Sequence, residues 1–255
     1  LLHLSPSADT VGWFAASVED VWEAAAVIVP DWKADDGRRT ADDGQMNAGS
    51  KTVVGGLSSL VTLGIPEGPY LQRASAGGLA HFRAAVQRLE DAGHAVRIVP
   101  AMPDFDDIHR RHNDLVANEA ARTHADWFAP YRDLYHPKTA ELIERGQGIS
   151  DTTYRVALAG REQLRDELHA LMDAHGLDAW IAPAAVGPAP RGLESTGDPV
   201  MALPWTHAGL PAISLPAGTD DAGWPMGLQV VGRFGRDEEL LALSSRLPFD
   251  PFAHF

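Results

Sequence analysis

Residues 57–100 carry a strand–helix–strand pattern, which few fold classes accommodate. The segment "LSSLVTLGIPEG" is a short apolar run that ends in Pro and Gly. The next segment, "AHFRAAVQRLEDAG", spaces its apolar side chains at helical intervals, and "HAVRIVP" alternates as a strand does. Two strands joined by a helix form the crossover unit of a parallel sheet. The pattern therefore predicts an α/β fold.

Further helices and strands extend this unit in both directions. After the capping residue Ser17, four apolar side chains share one helical face, namely Val18, Val21, Trp22 and Ala25. Residues 101–176 have helical spacing and predict a helical cover, whereas residues 177–255 add strands and a last helix, "RDEELLALSSRL". We expect one α/β domain over residues 1–255, with a mixed, largely parallel sheet covered by helices. The charged, glycine-rich residues 30–51 predict an exposed loop.

Composition excludes several classes of function. The 255 residues are 45% apolar, enough for a full-sized core, and 21 basic against 35 acidic residues give a formal charge of −14. This charge repels polyphosphates and anionic lipids, so we expect neither nucleic acid nor membrane as a partner. The absence of Cys removes disulfides, thiolate zinc sites and a Cys nucleophile. With no secretory signal or membrane-length apolar run, we expect a cytoplasmic protein.

Standard active-site motifs are missing from the sequence, and its histidines offer one alternative. His109, His112 and His124 lie near four acidic residues, namely Asp104, Asp106, Asp107 and Glu119. A helix would place His109 and His112 about one turn apart, as metal ligands can be. Two arginines lie between them, however, and cations beside a ligand pair oppose metal binding. We interpret the segment as a charged helix face, and a histidine–metal hydrolase remains the third hypothesis.

A serine nucleophile activated by lysine would need one of only three lysines, Lys33, Lys51 and Lys138. Lys51 has serines around it, namely Ser50, Ser58 and Ser59. We interpret Ser50 and Lys51 as the end of an exposed loop, and the other two serines as the approach to a strand. No catalytic residue is predicted from this cluster.

Three segments of the chain resemble the amidase signature family of hydrolases. "LLHLSPSADTVGWFAASVEDV" is similar to the family's stretch shortly after the nucleophile, and "LVTLGIPEGPYL" with "RLEDAGHAVRIV" to its next strand–helix–strand unit. The most specific match is the closing "STGDPVMALPWTHAGLPAISLPAGTDDAGWPMGLQVVGRFGRDEELL". The resemblance covers residues 1–22, 63–100 and 177–245. It implies hydrolysis of a linear carboxamide C–N bond in a small-molecule substrate, by a serine nucleophile, a bridging serine and a lysine base, with no metal or cofactor.

The sequence departs from the family at the loops that carry catalysis. Those loops, of the GGSSGG and DTGGS kinds, do not occur in the 255 residues, so no catalytic residue is assigned to this chain. We expect the chain to be the middle and C-terminal part of a longer enzyme, or one chain of a split enzyme, with its sheet incomplete on the N-terminal side. By itself it should be inactive, and its cut sheet should associate with the missing half or with a second copy. The alternative is a noncatalytic remnant that binds small amides or a partner.

The closing segment also supplies the predicted substrate-binding residues. Asp198 before Pro199 is a good helix start, with the carboxylate as N-cap and proline in the first turn. Such a helix would present backbone N–H groups to a polar group of the substrate. We predict that five residues of this segment line the cleft, namely Thr196, Asp198, Trp205, Thr206 and His207. The "GWPMG" stretch after them is interpreted as a hairpin turn.

Overall fold

The computed structural model describes residues 3–30, 32 and 60–249, which form a five-stranded sheet with helices on both faces. The strands are β1 (Thr62–Glu67), β2 (Ala95–Pro100), β3 (Ala179–Pro183), β4 (Ala212–Thr219) and β5 (Pro225–Val231). The helices are α1 (Val18–Ile28), α2 (Ala76–Asp91), α3 (Phe105–Thr123), α4 (Ala125–Tyr131), α5 (Pro137–Gln147), α6 (Asp151–His175), α7 (Leu203–Ala208) and α8 (Asp237–Ser244). Short 3-10 turns lie at Leu71–Arg73, Arg132–Leu134 and Pro199–Met201.

The sheet is mixed and largely parallel, as predicted. Its strand order is β2-β1-β3-β5-β4. β1 runs parallel to both β2 and β3, and β5 runs antiparallel to both of its neighbours, so only β5 points against the other strands. The predicted strand–helix–strand unit is β1–α2–β2, with Thr62 opposite Ala95 in the parallel register. The segment "GWPMG" lies at the turn that joins β4 to β5 and enters β5.

Alternation along the strands divides the core between the two faces of the sheet. On β1, Leu63 and Ile65 join the cluster that α2 covers with Phe82 and Leu89. The residue between them, Gly64, faces the other cluster, which contains Tyr70, Phe105, Trp180 and Trp205. A Cβ on Gly64 would lie 2.8 Å from the Trp180 ring. Glycine is therefore required where this indole crosses β1.

The helix boundaries follow from local capping. The Ser17 hydroxyl accepts a hydrogen bond from Asp20 N at 3.0 Å and begins α1, which buries Trp22 and Ala25 as predicted. Between residues 105 and 175 the chain forms α3 to α6, and Gly176 ends α6 in the left-handed conformation with φ 55°. The loop predicted over residues 30–51 lies outside the described residues, apart from Pro30 and Trp32.

Over the described ranges, 3–30, 32 and 60–249, no helix combines the length and apolarity that crossing a bilayer requires.

Candidate functional site

A cleft of about 540 Å³ lies at the carboxyl end of β3, beside the start of β5 and the first turns of α2. Clefts outside the carboxyl ends of strands are where ligands bind in sheets of this kind. Its lining combines prolines and small aliphatic residues with a few polar groups. The described lining residues are Ser75, Gly78, His81, Pro183, Ala185, Val186, Gly187, Pro188, Ala189, Pro190, Thr196, Gly197, Asp198, Pro225, Met226 and Gly227.

One wall of the cleft is held by a close approach of α2 to the loop after β3. Ser75 N donates to Val186 O at 2.8 Å, and the Ser75 hydroxyl accepts from Gly78 N at 3.0 Å as the N-cap of α2. A Cβ on Gly78 would lie 2.3 Å from Val186 O, where no side chain fits. Glycine at this position therefore lets the helix meet the loop and fixes the width of the cleft.

Asp198 and Thr196 also line the cleft. As predicted, Asp198 caps a helical turn at Pro199, and its Oδ1 accepts from Val200 N at 2.9 Å. The second carboxylate oxygen has no hydrogen-bond partner among the described residues. It is therefore available to a donor on a ligand. Of the five predicted site residues, these two line the cleft.

Trp205 lies in the core rather than in the cleft lining, with 1% of its surface exposed. Its Nε1 donates to the Tyr70 hydroxyl at 3.0 Å, and that hydroxyl donates to Met201 O at 2.8 Å. Burial raises the pKa of Tyr70, which therefore stays a neutral donor. These two hydrogen bonds, here called the Tyr70 relay, fix the turn that follows Asp198. Trp205 therefore stabilises the cleft wall through the core.

His207 and Thr206 likewise do not line the described cleft. The His207 ring is fully buried, and neither ring nitrogen has a hydrogen-bond partner among the described residues. Burial is the main cause that lowers the pKa of His207 to about 3, and electrostatic repulsion by His112 and Arg161 lowers it further. The imidazole is therefore neutral. Thr206 is half-buried on α7. Contact of any of the five residues with a substrate stays a prediction.

His81 is a cleft residue that sequence reasoning missed. The apolar spacing of α2 identifies the buried face of the helix, which includes Phe82. That spacing does not indicate that His81, the residue before Phe82, lines a cleft formed by β5 and by the loop after β3. Burial lowers the pKa of His81, and a hydrogen bond with the Ala217 backbone partly offsets this effect. His81 and Asp198 are the titratable groups of the described lining. The cleft therefore suits a small ligand with an apolar body and an N–H or O–H donor.

The three candidate metal-binding histidines have separate partners. His109 contacts Asn113 at 3.2 Å, His112 packs against His207, and His124 meets the Tyr135 hydroxyl at 2.8 Å. Among the residues that the structure describes, no group of three or more His, Asp or Glu side chains could hold a metal ion. The histidine–metal hydrolase hypothesis gains no support from this arrangement.

The lysine–serine cluster cannot be placed in the fold. Ser50, Lys51, Ser58 and Ser59 lie outside the described residues, as does Lys33. Lys138 is described, and it lies in the first turn of α5 and is not a lining residue of the cleft.

Comparison with known proteins identifies the family to which this fold belongs. The family model described as Amidase matches residues 1–241. A glutamyl-tRNA(Gln) amidotransferase subunit from Trichormus variabilis is 37% identical over 75 residues, which are 27% of this chain and 15% of that protein. The protein of the same name from a Synechococcus species is 26% identical over a match that covers 96% of this chain and 55% of the relative.

A solved structure described as "Crystal structure of amidase" superposes with a TM-score of 0.76 at 28% identity, covering 96% of this chain and 54% of that one. The chain thus spans about half the length of the relatives that it matches along most of its own length. The family model covers most of the 255 residues, including every segment that forms the cleft. This chain belongs to the amidase family.

Proposed function

We propose that this chain forms part of an enzyme that hydrolyses the C–N bond of a linear carboxamide in a small molecule. The observation that carries the proposal is the cleft at the carboxyl end of β3, formed within the region that matches the amidase family. Asp198 and Thr196 offer polar contacts to the amide, and the prolines with Met226 surround its apolar portion. Trp205, Thr206 and His207 lie on α7, which follows the turn at Asp198. Trp205 holds that turn in place through Tyr70.

Catalysis in this proposal depends on residues that the 255 do not contain. The family's serine nucleophile, bridging serine and lysine base belong to loops of the GGSSGG and DTGGS kinds, which are absent from this sequence. A further segment or a partner chain would supply them, and the 255 residues alone would bind an amide without turning it over. In the described sheet β2 and β4 are the edge strands, and exposed residues of β4 include Ala212 and Ser214. An unpaired edge accepts another strand, so an edge of this sheet is where we place the missing half or a second copy.

The substrate is proposed to be a small free amide rather than a charged tRNA. Two of the relatives above are named glutamyl-tRNA(Gln) amidotransferase subunits, and these names favour the tRNA-dependent reaction. Against it stands the formal charge of −14, which repels a polyphosphate. In the enzyme that also contains the catalytic loops, a hydrolysis rate that does not change when tRNA is added would support the small-amide proposal, and a rate that requires tRNA would reject it.

The binding-only remnant remains the second candidate, because the cleft is formed by residues that the chain does contain. Both candidates predict that a simple amide such as butyramide enters the cleft of the 255-residue chain. In a protein with labelled methionine methyl groups, butyramide should shift the Met226 resonance in a saturable way. It should leave buried Met172 unchanged, because Met172 is fully buried in the core and is not a lining residue.

The matched variants for this experiment are Asp198→Asn and Glu90→Gln. Asn keeps the N-cap but replaces the free carboxylate oxygen, so it should weaken butyramide binding about tenfold. Glu90 is exposed near the far end of α2 and its variant should bind as the parent does. Equal affinity in all three proteins, or a shift confined to resonances other than that of Met226, would remove the cleft from the proposal.

A further inference from the structure

Two arginines on α6 hold the end of α7 in the same way. Arg161 and Arg165 are four residues apart, so their side chains share one face of the helix, and both are half-buried. Arg161 Nε donates to His207 O at 2.8 Å, and Arg165 Nε donates to Ala208 O at 2.8 Å. Each guanidinium thus uses its Nε to satisfy one of the carbonyls that a helix leaves free at its C-terminus.

The terminal nitrogens of the two guanidinium groups converge on Gly209. The position that a Cβ on Gly209 would occupy lies 3.4 Å from Arg165 Nη2 and 3.5 Å from Arg161 Nη2. These two nitrogens are therefore at most about 7 Å apart. Gly209 has φ 72°, a conformation that suits glycine, and it carries no side chain to fill the space between them.

Phe234 forms the third side of this space. The Phe234 ring stacks on the Arg165 guanidinium, with 3.8 Å between Arg165 Cζ and the ring centroid. Phe234 Cε2 lies 3.7 Å from the position that a Cβ on Gly209 would occupy. Phe234 N donates to His169 Nε2 at 3.2 Å, so the backbone that carries the ring is also tied to α6. Stacking and the Nε bonds together hold Arg165 in one orientation.

Neither guanidinium has a counterion among the described residues. The described ion pairs involve arginines elsewhere, such as Arg233 with Asp173, and neither Arg161 nor Arg165 takes part in one. Burial and the charge of Arg165 lower the pKa of Arg161, and the charges of Glu119 and Glu162 oppose this only in part. Two adjacent, partly desolvated cations that form no salt bridge are unfavourable unless an anion joins them.

We propose that Arg161 and Arg165 form a binding site for an oxyanion, a carboxylate or a phosphate, above Gly209. The Nε atoms are occupied by the carbonyls of α7. The proposal explains why Nη2 of both groups lies near the same point above Gly209. Planar guanidinium groups bind carboxylate and phosphate oxygens through paired hydrogen bonds. The site lies at the end of α7, away from the turn that carries Asp198, and none of its residues lines the cleft.

The test compares sodium phosphate and sodium acetate with sodium chloride at equal ionic strength and neutral pH, measuring the melting temperature of the full chain. Phosphate, acetate or both should raise it in a saturable way, and the effective salt identifies which oxyanion the site takes. In the double variant Arg161→Gln, Arg165→Gln the apparent affinity should fall at least about tenfold. Arg132→Gln, which removes an exposed arginine paired with Glu144, should bind as the parent does.

A second measurement on the unchanged protein keeps the test decisive if the double variant does not fold. Phenylglyoxal modifies accessible arginines, and peptide mass mapping reports each one. The effective oxyanion should protect Arg161 and Arg165 but not Arg132. The proposal is overturned if chloride stabilises the protein as much as either oxyanion does, if the double variant keeps the stabilisation, or if protection is equal at all three arginines.

Discussion

The rings of His112 on α3 and His207 on α7 meet edge to face, with 5.6 Å between their centroids. Burial lowers the pKa of His112 to about 4 and that of His207 to about 3, and the His112 ring further opposes protonation of His207. The pair therefore joins two helices only while both imidazoles are neutral. Arg161, Arg111 and His109 lie close enough to strengthen this preference.

This pair predicts a loss of stability in mild acid. Because both folded-state pKa values lie below the unfolded value of about 6.5, the unfolded chain binds more protons as the pH falls. The contribution of the two neutral rings to the free energy of unfolding is fully present above about pH 6.5. At pH 5 the free energy of unfolding should be lower by about 2 kcal/mol per ring. Urea titrations of the parent protein across this range measure the slope.

The His207→Leu variant isolates the effect of one ring. Since neither nitrogen of His207 has a described partner, leucine should cost little at neutral pH and should roughly halve the slope between pH 6.5 and pH 5. The control is His3→Gln, which removes an exposed histidine. An unchanged slope in His207→Leu would contradict the assignment.

Glu119 predicts a stability effect at the N-terminal end of the described chain. Its buried carboxylate accepts from Ser5 Oγ at 2.6 Å, Ser7 N at 2.9 Å, Ser7 Oγ at 2.5 Å and Tyr154 OH at 3.1 Å. Glu119→Gln loses the charge and turns one acceptor into a donor. The free energy of unfolding should fall by about 2 kcal/mol.

Amide hydrogen exchange reports whether this loss is local. The Ser7 amide should exchange faster in Glu119→Gln, whereas Glu141→Gln, an exposed change on α5, should alter neither exchange nor stability. Burial alone would raise the pKa of Glu119, but the hydrogen bonds together outweigh it and hold that pKa below its ordinary value. The contribution of the carboxylate to stability is therefore lost only as the pH falls through the lowered pKa. Equal behaviour of the two variants would show that the network is not stabilising.

Neighbouring glycines at the start of α2 predict opposite effects of the same substitution. Gly78→Ala places a Cβ 2.3 Å from Val186 O and should lower the free energy of unfolding by about 2 kcal/mol. A Cβ on Gly77 meets nothing within 4 Å among the described residues, so Gly77→Ala should raise stability by about 0.5 to 1 kcal/mol. Thermal unfolding of both proteins measures the difference, and a stable Gly78→Ala protein would show that the cleft wall is not fixed there.

Tyr70 links the core to the cleft. Tyr70→Phe leaves Trp205 Nε1 and Met201 O without their described partner and should cost about 1 to 3 kcal/mol. Because Met201 lies in the turn after Asp198, butyramide should also bind more weakly. Tyr131→Phe, at a residue 55% exposed, is the matched control for both readouts. Loss of stability with unchanged amide binding would separate the relay from the cleft.

The sequence predicts those parts of the fold that depend on local pattern. Strand alternation and helical spacing locate β1, α2 and β2, and the Asp-Pro pair locates the turn at Asp198. The positions of Trp205 and His207 depend instead on Tyr70 and His112, which are distant in sequence. A helix of six residues is too short for periodicity to show which side is buried, so the sequence does not distinguish a core position from a cleft position at Trp205 and His207.

Whether this chain works as part of a larger amidase is decided by the intact mass of the natively expressed protein, measured on the same sample that is assayed for hydrolysis of a generic arylamide. We predict an active species that contains more than the 27.4 kDa of this chain, either as a longer polypeptide or with a companion chain. A serine-directed sulfonyl fluoride should abolish its turnover, and a chelator should not. Turnover by a 27.4 kDa species alone, turnover lost on chelation, or an inactive 27.4 kDa species without companion would contradict it.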